Sequence, residues 1–271
     1  MGKSKDLATG VRSGDFTVDT DTLHVDATNN KVGVGTTSPN RLFSVSSSTT
    51  RTSGFEDIAE YVTPSIGVGG STSLNVGKAN SNYDLAKMAF KYNGAGSTSN
   101  ELGFGFYGAD NLLKIDGSGY VTMPNQPKFK VRRNSSSLTL TGNNAKQNLV
   151  FNVEDFDIGG GYNTTTGKYT VPATGVYFFF LNPRFDGVSE NTYVRALIYK
   201  GATIPGSPWS DYGNVLCSID GEGHSTDYQT INVSGIFSCT AGDTINFLGG
   251  GHIDSSITLQ AESQAGGFMI G

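Results

Sequence analysis

The sequence predicts an all-β protein, and three observations lead to that fold class. Glycine makes up 37 of the 271 residues, about twice its ordinary share. Charged residues are only 16% of the chain. Short runs of alternating apolar and polar residues are separated by Gly, Asn, Ser and Pro, and no long amphipathic helical pattern is visible. This combination is typical of many short strands joined by tight turns.

Charge and hydropathy exclude two classes of partner. The net charge is −5 and neither half of the chain forms a basic arm, so we expect no nucleic-acid binding. No apolar run is long enough to cross a bilayer, so we expect no membrane insertion. The first ten residues lack the apolar core of a secretion signal. We therefore expect assembly in a cytosol, with Cys217 and Cys239 reduced, and a disulfide between neighbouring strands as the alternative.

The N-terminal segment, residues 1–20, is predicted to be an anchor. It carries Lys3, Lys5 and Arg12 and few apolar side chains. Such a segment is disordered on its own, so it needs a neighbouring molecule to become ordered.

A β-rich region follows the anchor. Alternation predicts short strands at 16–19, 22–26, 31–35, 42–45, 73–76, 86–92, 102–107 and 112–115. Gly33 and Gly35 could form a phosphate cradle, but no Lys-Ser/Thr and no helix follows them. Small residues at a crowded trimer axis or a bulge are the favoured alternative. Residues 46–53 resemble a linker, and Ser53 with Glu56 fits the capping box of a two-turn helix that Pro64 ends, with an irregular loop as the alternative.

The most informative stretch is 161–180, Gly-Tyr-Asn-Thr-Thr-Thr-Gly-Lys-Tyr-Thr-Val-Pro-Ala-Thr-Gly-Val-Tyr-Phe-Phe-Phe. Asn163 to Gly167 predicts a turn, since both residue types tolerate left-handed backbone. Residues 168–171 alternate as a strand, which Pro172 ends. The run 176–181 is β-branched and aromatic throughout, which predicts a strand buried on both sides of a sandwich.

This stretch resembles the core signature of the globular head of complement component one, subunit q, a family that shares a jelly roll with the tumour necrosis factor family. Residues 241–245, Ala-Gly-Asp-Thr-Ile, are similar to the family's Gly-Asp turn before a late strand. Residues 266–270, Gly-Gly-Phe-Met-Ile, are similar to its closing strand, although the usual aromatic shortly before them is replaced by Gln264 or Ala265. The resemblance implies a jelly-roll head over 128–271 that forms a homotrimer and binds rather than reacts.

Two further segments resemble virion fibre proteins of bacteriophages. They are Leu-His-Val-Asp-Ala-Thr-Asn-Asn-Lys-Val-Gly-Val-Gly-Thr-Thr-Ser-Pro, residues 23–39, and Met-Pro-Asn-Gln-Pro-Lys-Phe, residues 123–129. The resemblance implies an anchor at 1–20, a trimeric β shaft at 21–127 and the head at 128–271. The expected role is a fibre, spike or head-decoration protein of a virion assembled in the host cytoplasm. Its N-terminus would contact other virion proteins, and its head would bind a host-surface glycan or receptor.

Two groups of residues are candidates for ligand binding. Lys128, Lys130, Arg132 and Arg133 would form a basic ring in a trimer, which is either a solvated collar or a site for a sulfated or anionic glycan. Trp209, the only tryptophan, lies with Tyr212 in a Gly/Pro-containing loop and is either a sugar-stacking platform or a lid over the core.

A metal cofactor is a weaker expectation. Asp220, Glu222 and Asp227 supply oxygen ligands that suit Ca²⁺, within a segment, 218–227, that reads as an apical loop. No other cofactor is expected.

Catalysis is not expected. The three histidines show no metal-binding spacing, and no Gly-x-Ser-x-Gly motif is present. Asp155 and Asp157 are close in sequence, but in a strand they would only share one face, without the set separation that a glycosidase needs. A capsule-cleaving fibre and a secreted cellular adhesion or lectin-like module with the same head are the alternatives to a binding fibre.

Overall fold

A computed structural model describes residues 16–18, 22–46, 60–134, 137–141, 146–188, 193–204, 215–222, 228–252 and 256–271. These residues form strands and turns with no helix among them, which confirms the all-β prediction for the described parts. The linker and most of the helix predicted around Ser53 lie outside them. Two compact units are present, the described residues up to Leu74 with Ala89–Asn100, and Asn75–Met88 with Glu101–Gly271. The domain boundaries at 20/21 and 127/128 stay a prediction.

The first sheet comprises β1 (Phe16–Val18), β2 (Leu23–Asp26), β3 (Lys31–Val34) and β4 (Phe43–Val45), in that order. Strands β1 to β3 are antiparallel, and β4 joins β3 in parallel. Asp26 shapes the turn between β2 and β3, because its carboxylate accepts hydrogen bonds from the backbone and side-chain amides of Asn29. These hydrogen bonds hold the pKa of Asp26 below its ordinary value.

Gly33 in β3 and Gly35 just after β3 are both explained by another part of the backbone that comes close to them. A Cβ on Gly35, whose φ is +71°, would lie 2.0 Å from the carbonyl oxygen of Ser46, and one on Gly33 would lie 2.3 Å from that of Thr36. The chain's own backbone therefore occupies the space beside both glycines. This close approach accounts for both glycines without a phosphate cradle, and crowding at a trimer axis stays a prediction.

The second sheet comprises β5 (Ser71–Gly77), β6 (Leu85–Lys91), β7 (Glu101–Phe106), β8 (Ala109–Asp116) and β9 (Val121–Thr122), in that order. All four strands predicted between residues 73 and 115 are present within one to three residues at their ends. The β7–β8 hairpin closes through a two-residue turn, because Phe106 pairs with Ala109.

The two faces of the β7–β9 part differ in polarity. Leu102, Phe104 and Phe106 alternate along one face and remain 37–39% exposed. The opposite face carries an ion pair of 2.9 Å between Lys114 Nζ and Glu101 Oε1. Among the described residues before Phe129, the only buried large hydrophobic side chain is Leu85.

Residues 128–271, here called the head, form two layers. The front layer contains β10 (Lys128–Arg132), β11 (Leu138–Leu140), β13 (Val153–Ile158), β16 (Gly175–Asn182), β17 (Arg184–Asp186), β20 (Tyr228–Thr230), β21 (Val233–Cys239), β23 (Ile257–Leu259) and β24 (Gln264–Met269). Its strand orders are β13-β10-β24-β16-β21 and β11-β23-β17-β20. The sheet β11-β23-β17-β20 continues the sheet β13-β10-β24-β16-β21, because β16 runs into β17 and β20 into β21 after short breaks.

The back layer contains β12 (Lys146–Asn148), β14 (Tyr162–Asn163), β15 (Lys168–Thr170), β18 (Tyr193–Lys200), β19 (Val215–Glu222) and β22 (Thr244–His252). Its order is β14-β15-β22-β18-β19, and β12 also pairs with β22. In both layers, many neighbouring strands are far apart in the sequence, which agrees with the predicted jelly roll.

The core lies between the two layers. The Phe129 ring of the front layer stacks on Tyr169 of the back layer with centroids 4.1 Å apart. Phe129 also contacts Phe179 and Phe247, with centroids 6.4 and 6.1 Å away. The Tyr162 hydroxyl accepts a hydrogen bond of 3.0 Å from the backbone N–H of Phe151, and burial raises the pKa of this phenol. Every large side chain in this cluster is therefore fixed by packing or by a hydrogen bond.

The stretch 161–180 folds largely as predicted. Gly167 N–H donates to the Asn163 carbonyl, and the Asn163 side chain accepts from Thr165 and Thr166, which closes the turn. The prediction that 176–181 is buried on both sides is wrong. Tyr177 and Phe179 are fully buried, but Val176 on the other side is 39% exposed. The aromatic run has one core face and one face without cover in the single chain.

The predicted apical loop at 218–227 is wrong for its first half. Residues 218–222 belong to β19, which pairs antiparallel with β18 so that Asp220 lies opposite Arg195 and Glu222 opposite Tyr193. The Gly and acidic residues indicate a loop by propensity, but the long partner strand β18 extends the ladder through them. Asp227 lies outside the described residues.

A front face on the head with an apolar and a polar end

The front face is the side of the front layer that points away from the core. One end of it is apolar. Phe178 pairs directly with Phe268 on β24 and with Ile236 on β21, so the three side chains form a row across three strands. The Phe178 and Phe268 rings are 5.4 Å apart. Phe268 is 47% and Ile236 64% exposed.

More apolar side chains extend this row. The apolar end comprises Phe156, Val176, Phe178, Phe180, Ile236, Phe268 and Ile270. Lys128 and Lys130 of β10 point outward among them, opposite Phe268 and Phe156. Gly266 makes room for it, because a Cβ there would lie 2.6 Å from the Phe180 ring. Exposed apolar clusters of this kind on a folded domain mark a surface that another molecule covers.

The other end of the front face is polar. Along β16 and β17 the outward positions change from Phe178 and Phe180 to Asn182, Arg184 and Asp186, while Phe185 between them stays in the core. The polar end comprises Asn182, Arg184, Asp186, Tyr228, Thr258, Gln260 and Glu262. Asp186 lies directly opposite Tyr228 on β20 and Thr258 on β23.

Arg184 organises the polar end. Its Nη1 lies 2.5 Å from Glu262 Oε2, and its Nε lies 3.5 Å from Asp186 Oδ1. Its Cζ lies 4.4 Å from the centre of the Tyr228 ring, which is the geometry of a cation–π contact. The Tyr228 side chain is nevertheless 59% exposed. One guanidinium therefore holds two carboxylates and supports an aromatic ring.

Three members of the predicted basic group, Lys128, Lys130 and Arg132, alternate on the outward side of β10, and Arg133 does not join them. Lys130 Nζ and Arg132 Nε both contact the Asp155 carboxylate, at 3.1 and 2.7 Å. Arg133 is only 9% exposed, and its Nη1 donates to the Val150 carbonyl at 2.7 Å. Burial lowers the pKa of its guanidinium. Arg133 is therefore a structural residue, and glycan binding by Lys128, Lys130 and Arg132 stays a prediction.

The expectation that Asp155 and Asp157 share one face is wrong. The β10–β13 register shifts between Lys130 and Val131, so Asp155 has no counterpart across the ladder. This bulge turns Asp155 toward the two basic side chains, whereas Asp157 Oδ2 accepts a hydrogen bond from Tyr162 N–H. The Arg132 and Lys130 hydrogen bonds hold the pKa of Asp155 below its ordinary value.

For the other candidate residues, the structure describes either nothing or only the strand in which they lie. Trp209 and Tyr212 lie outside the described residues. The side chains of Asp220 and Glu222 are likewise not described, so calcium binding stays a prediction. Within the described ranges, no group of three or more His, Cys, Asp or Glu residues is arranged to hold a metal ion, and no helix is suited to span a membrane. Cys239 is a buried free thiol.

Sequence reasoning missed the polar end. Arg184 and Tyr228 come from two strands far apart in sequence and Glu262 from the turn between β23 and β24, and no local motif joins them. The signal for this end in the sequence is the period-2 alternation along β16 and β17, because the outward residues after Phe180 are Asn182, Arg184 and Asp186.

One family model and two solved structures are similar to part of this chain. The family model described as "C1q domain" matches residues 129–203. A structure titled "Globular Domain of Zebrafish Complement 1qA protein" is 18% identical, with a TM-score of 0.38, and covers 54% of this chain and 98% of its own. Murine APRIL is 14% identical, with a TM-score of 0.39, and covers 54% and 99%. No curated protein matches the chain.

Proposed function

We propose that the chain is a homotrimeric binding protein of the fibre, spike or head-decoration type, carried on a bacteriophage virion. Its N-terminus contacts the particle and its heads bind a host-surface glycan or receptor. The observation that carries the trimer is the apolar end of the front face. Phe178, Phe268 and Ile236 form a row that a single chain leaves open, and closed cyclic symmetry would bury it against other copies.

The exposed face of β7–β9 supports the same proposal. A sheet with one apolar face must bury that face against another surface. Leu102, Phe104 and Phe106 would gain cover from other copies in a trimer. The virion context rests on the two segments that resemble phage fibres, Leu23–Pro39 and Met123–Phe129.

The molar mass in solution tests the trimer. Light scattering of the full chain should give three times the 28.6 kDa of one chain. Phe178→Asp should give a monomer, since it would place a charge in the apolar interface. Its core should stay folded, because Tyr177 and Phe179 point the other way. Phe178→Leu is the control and should remain trimeric. A monomeric wild type, or a trimeric Phe178→Asp variant, contradicts the proposal.

The virion context needs a separate test. Particles purified from a culture that expresses the gene should contain peptides of this chain by mass spectrometry, and labelled trimer should bind intact host bacteria. Particles without the chain would contradict the virion assignment while leaving the trimer in place.

A second candidate is a secreted cellular adhesion module, which the match of the C1q model to residues 129–203 equally favours. It predicts the protein in culture medium and binding to animal cells rather than bacteria.

A further inference from the structure

We propose that the polar end of the front face is a binding surface for a neutral saccharide, with the Tyr228 ring as the platform on which a sugar ring stacks. This inference rests on the proposed role in surface attachment and gives that role a site. The juxtaposition that carries it is one exposed aromatic ring beside a fixed set of hydrogen-bonding groups on a sheet.

The ring is the first element of the surface. Tyr228 is 59% exposed although Arg184 lies 4.4 Å from its centre. The guanidinium covers one side of the ring and limits its rotation, so the open side needs little further ordering when a ligand binds. Sugar rings present C–H groups on one side, and these pack well on an aromatic face.

The polar groups are the second element. Glu262 and Asp186 are both held by Arg184, at 2.5 and 3.5 Å. Gln260 Nε2 donates to Thr258 Oγ1 at 2.8 Å. Carboxylates accept hydrogen bonds from sugar hydroxyls, while the amide and hydroxyl groups can both donate and accept. Arg184 orients Glu262 by a hydrogen bond and Gln260 orients Thr258, so these pairs keep their spacing before a ligand rich in hydroxyls binds.

Charge selects the class of saccharide. Two carboxylates surround one guanidinium, so this end of the face carries no excess positive charge. A sulfated or sialylated sugar would be repelled by Glu262 and Asp186, and Arg184 is already satisfied by them. A neutral oligosaccharide meets no such penalty.

The same composition argues against a protein partner. The centres of protein interfaces favour Tyr and Arg, which are present here, but they are poor in Asp, Glu and Lys, and this end carries both Asp186 and Glu262. Here Tyr228 is the one large apolar group, and its neighbours are charged or carry amide and hydroxyl groups. The apolar end, in contrast, has the composition of an interface between copies.

The test uses full-length wild-type protein, Tyr228→Ala, Tyr228→Phe and a matched control, Tyr120→Ala. Tyr120 is also an exposed tyrosine, at 71%, and lies outside the head. Each protein is applied to a printed array of neutral, sialylated and sulfated oligosaccharides, and its mass is measured by light scattering. Labelled protein is also applied to host cells.

Wild type should bind neutral oligosaccharides in preference to anionic ones. Tyr228→Ala should bind at least about tenfold more weakly, because the stacking contact is lost. Tyr228→Phe and Tyr120→Ala should bind as wild type does, and all four proteins should have the same mass.

Three outcomes overturn the inference. They are wild type that binds only anionic oligosaccharides or none, Tyr228→Ala that binds like wild type, and Tyr228→Ala that loses its oligomeric state. The last would make the polar end part of the contact between copies. Wild type that binds cells while Tyr228→Ala binds them equally refutes the site alone. Wild type that fails to bind host cells refutes the proposed attachment function.

Discussion

The sheet β5–β9 and the head bury their apolar residues in different ways. In the head, two layers enclose a cluster in which Phe129, Tyr169 and Phe247 are almost fully buried. In β7, Leu102 and Phe104 each remain 37% exposed. The head therefore has a core of its own, whereas the β5–β9 sheet needs another surface. One chain can thus combine a domain that encloses its own core with a sheet whose apolar face a single copy leaves open.

The prediction with the largest effect on stability concerns the core of the head. Phe179→Ala removes a fully buried ring that packs on Phe129 and Tyr177, with centroids 6.4 and 5.7 Å away. Its free energy of unfolding should fall by about 3–5 kcal/mol. Denaturant titration of wild type and variant measures the difference. A loss below 1 kcal/mol, which is small for a core truncation, would show that the site collapses around the missing ring.

A variant in β7 tests the exposed apolar face of the β5–β9 sheet. Phe104→Ser should leave the unfolding transition of the head unchanged and lower the order of β7–β9, because other copies cover this side chain in the trimer that we propose. Hydrogen exchange should be faster in β7 and β8 than in wild type and unaltered in β16 and β22. Thr122→Ala, an exposed position on the polar face of the same sheet, serves as a control for a change away from the exposed aromatic side chains. Equal exchange in Phe104→Ser and wild type would show that the β7 face needs no partner.

The smallest expected effect concerns the bulge at Asp155. Its folded-state pKa is depressed by Arg132 and Lys130, so the stabilisation is present above the unfolded pKa of about 3.9 and is lost as pH falls through the folded value. The side chain is 27% exposed, so the contribution should be at most about 1 kcal/mol. Stability of wild type should approach that of Asp155→Asn as pH is lowered from 6 toward 2. A constant difference over this range would contradict the ion-pair explanation.

The sequence predicted what depends on neighbouring residues. The turn at Asn163–Gly167 and the strands on either side follow from residue types within about ten positions, and the strands of the β5–β9 sheet follow from their alternation. Three features depend on distant strands and were missed. They are the extension of β19 through Asp220, the bulge that separates Asp155 from Asp157, and the open side of β16.

The candidate site shows the same limit more strongly. Trp209 and the basic group are candidates for ligand binding because they stand out in the linear sequence. Arg133 has a structural role instead, since it is mostly buried and donates to the Val150 carbonyl. Tyr228 and Glu262 become candidates only when pairing in the front layer brings them to Arg184.

The position of β24 has a consequence for biosynthesis. This strand, Gln264–Met269, lies between β10 and β16 and pairs with both. On a translating ribosome, β10 and β16 emerge more than 80 residues earlier and keep open edges until β24 leaves the exit tunnel. At about 5–20 residues per second, that interval lasts several seconds. Unpaired apolar edges on neighbouring nascent chains of one polysome can then join each other, so slow translation after residue 182 should raise aggregation in newly made protein.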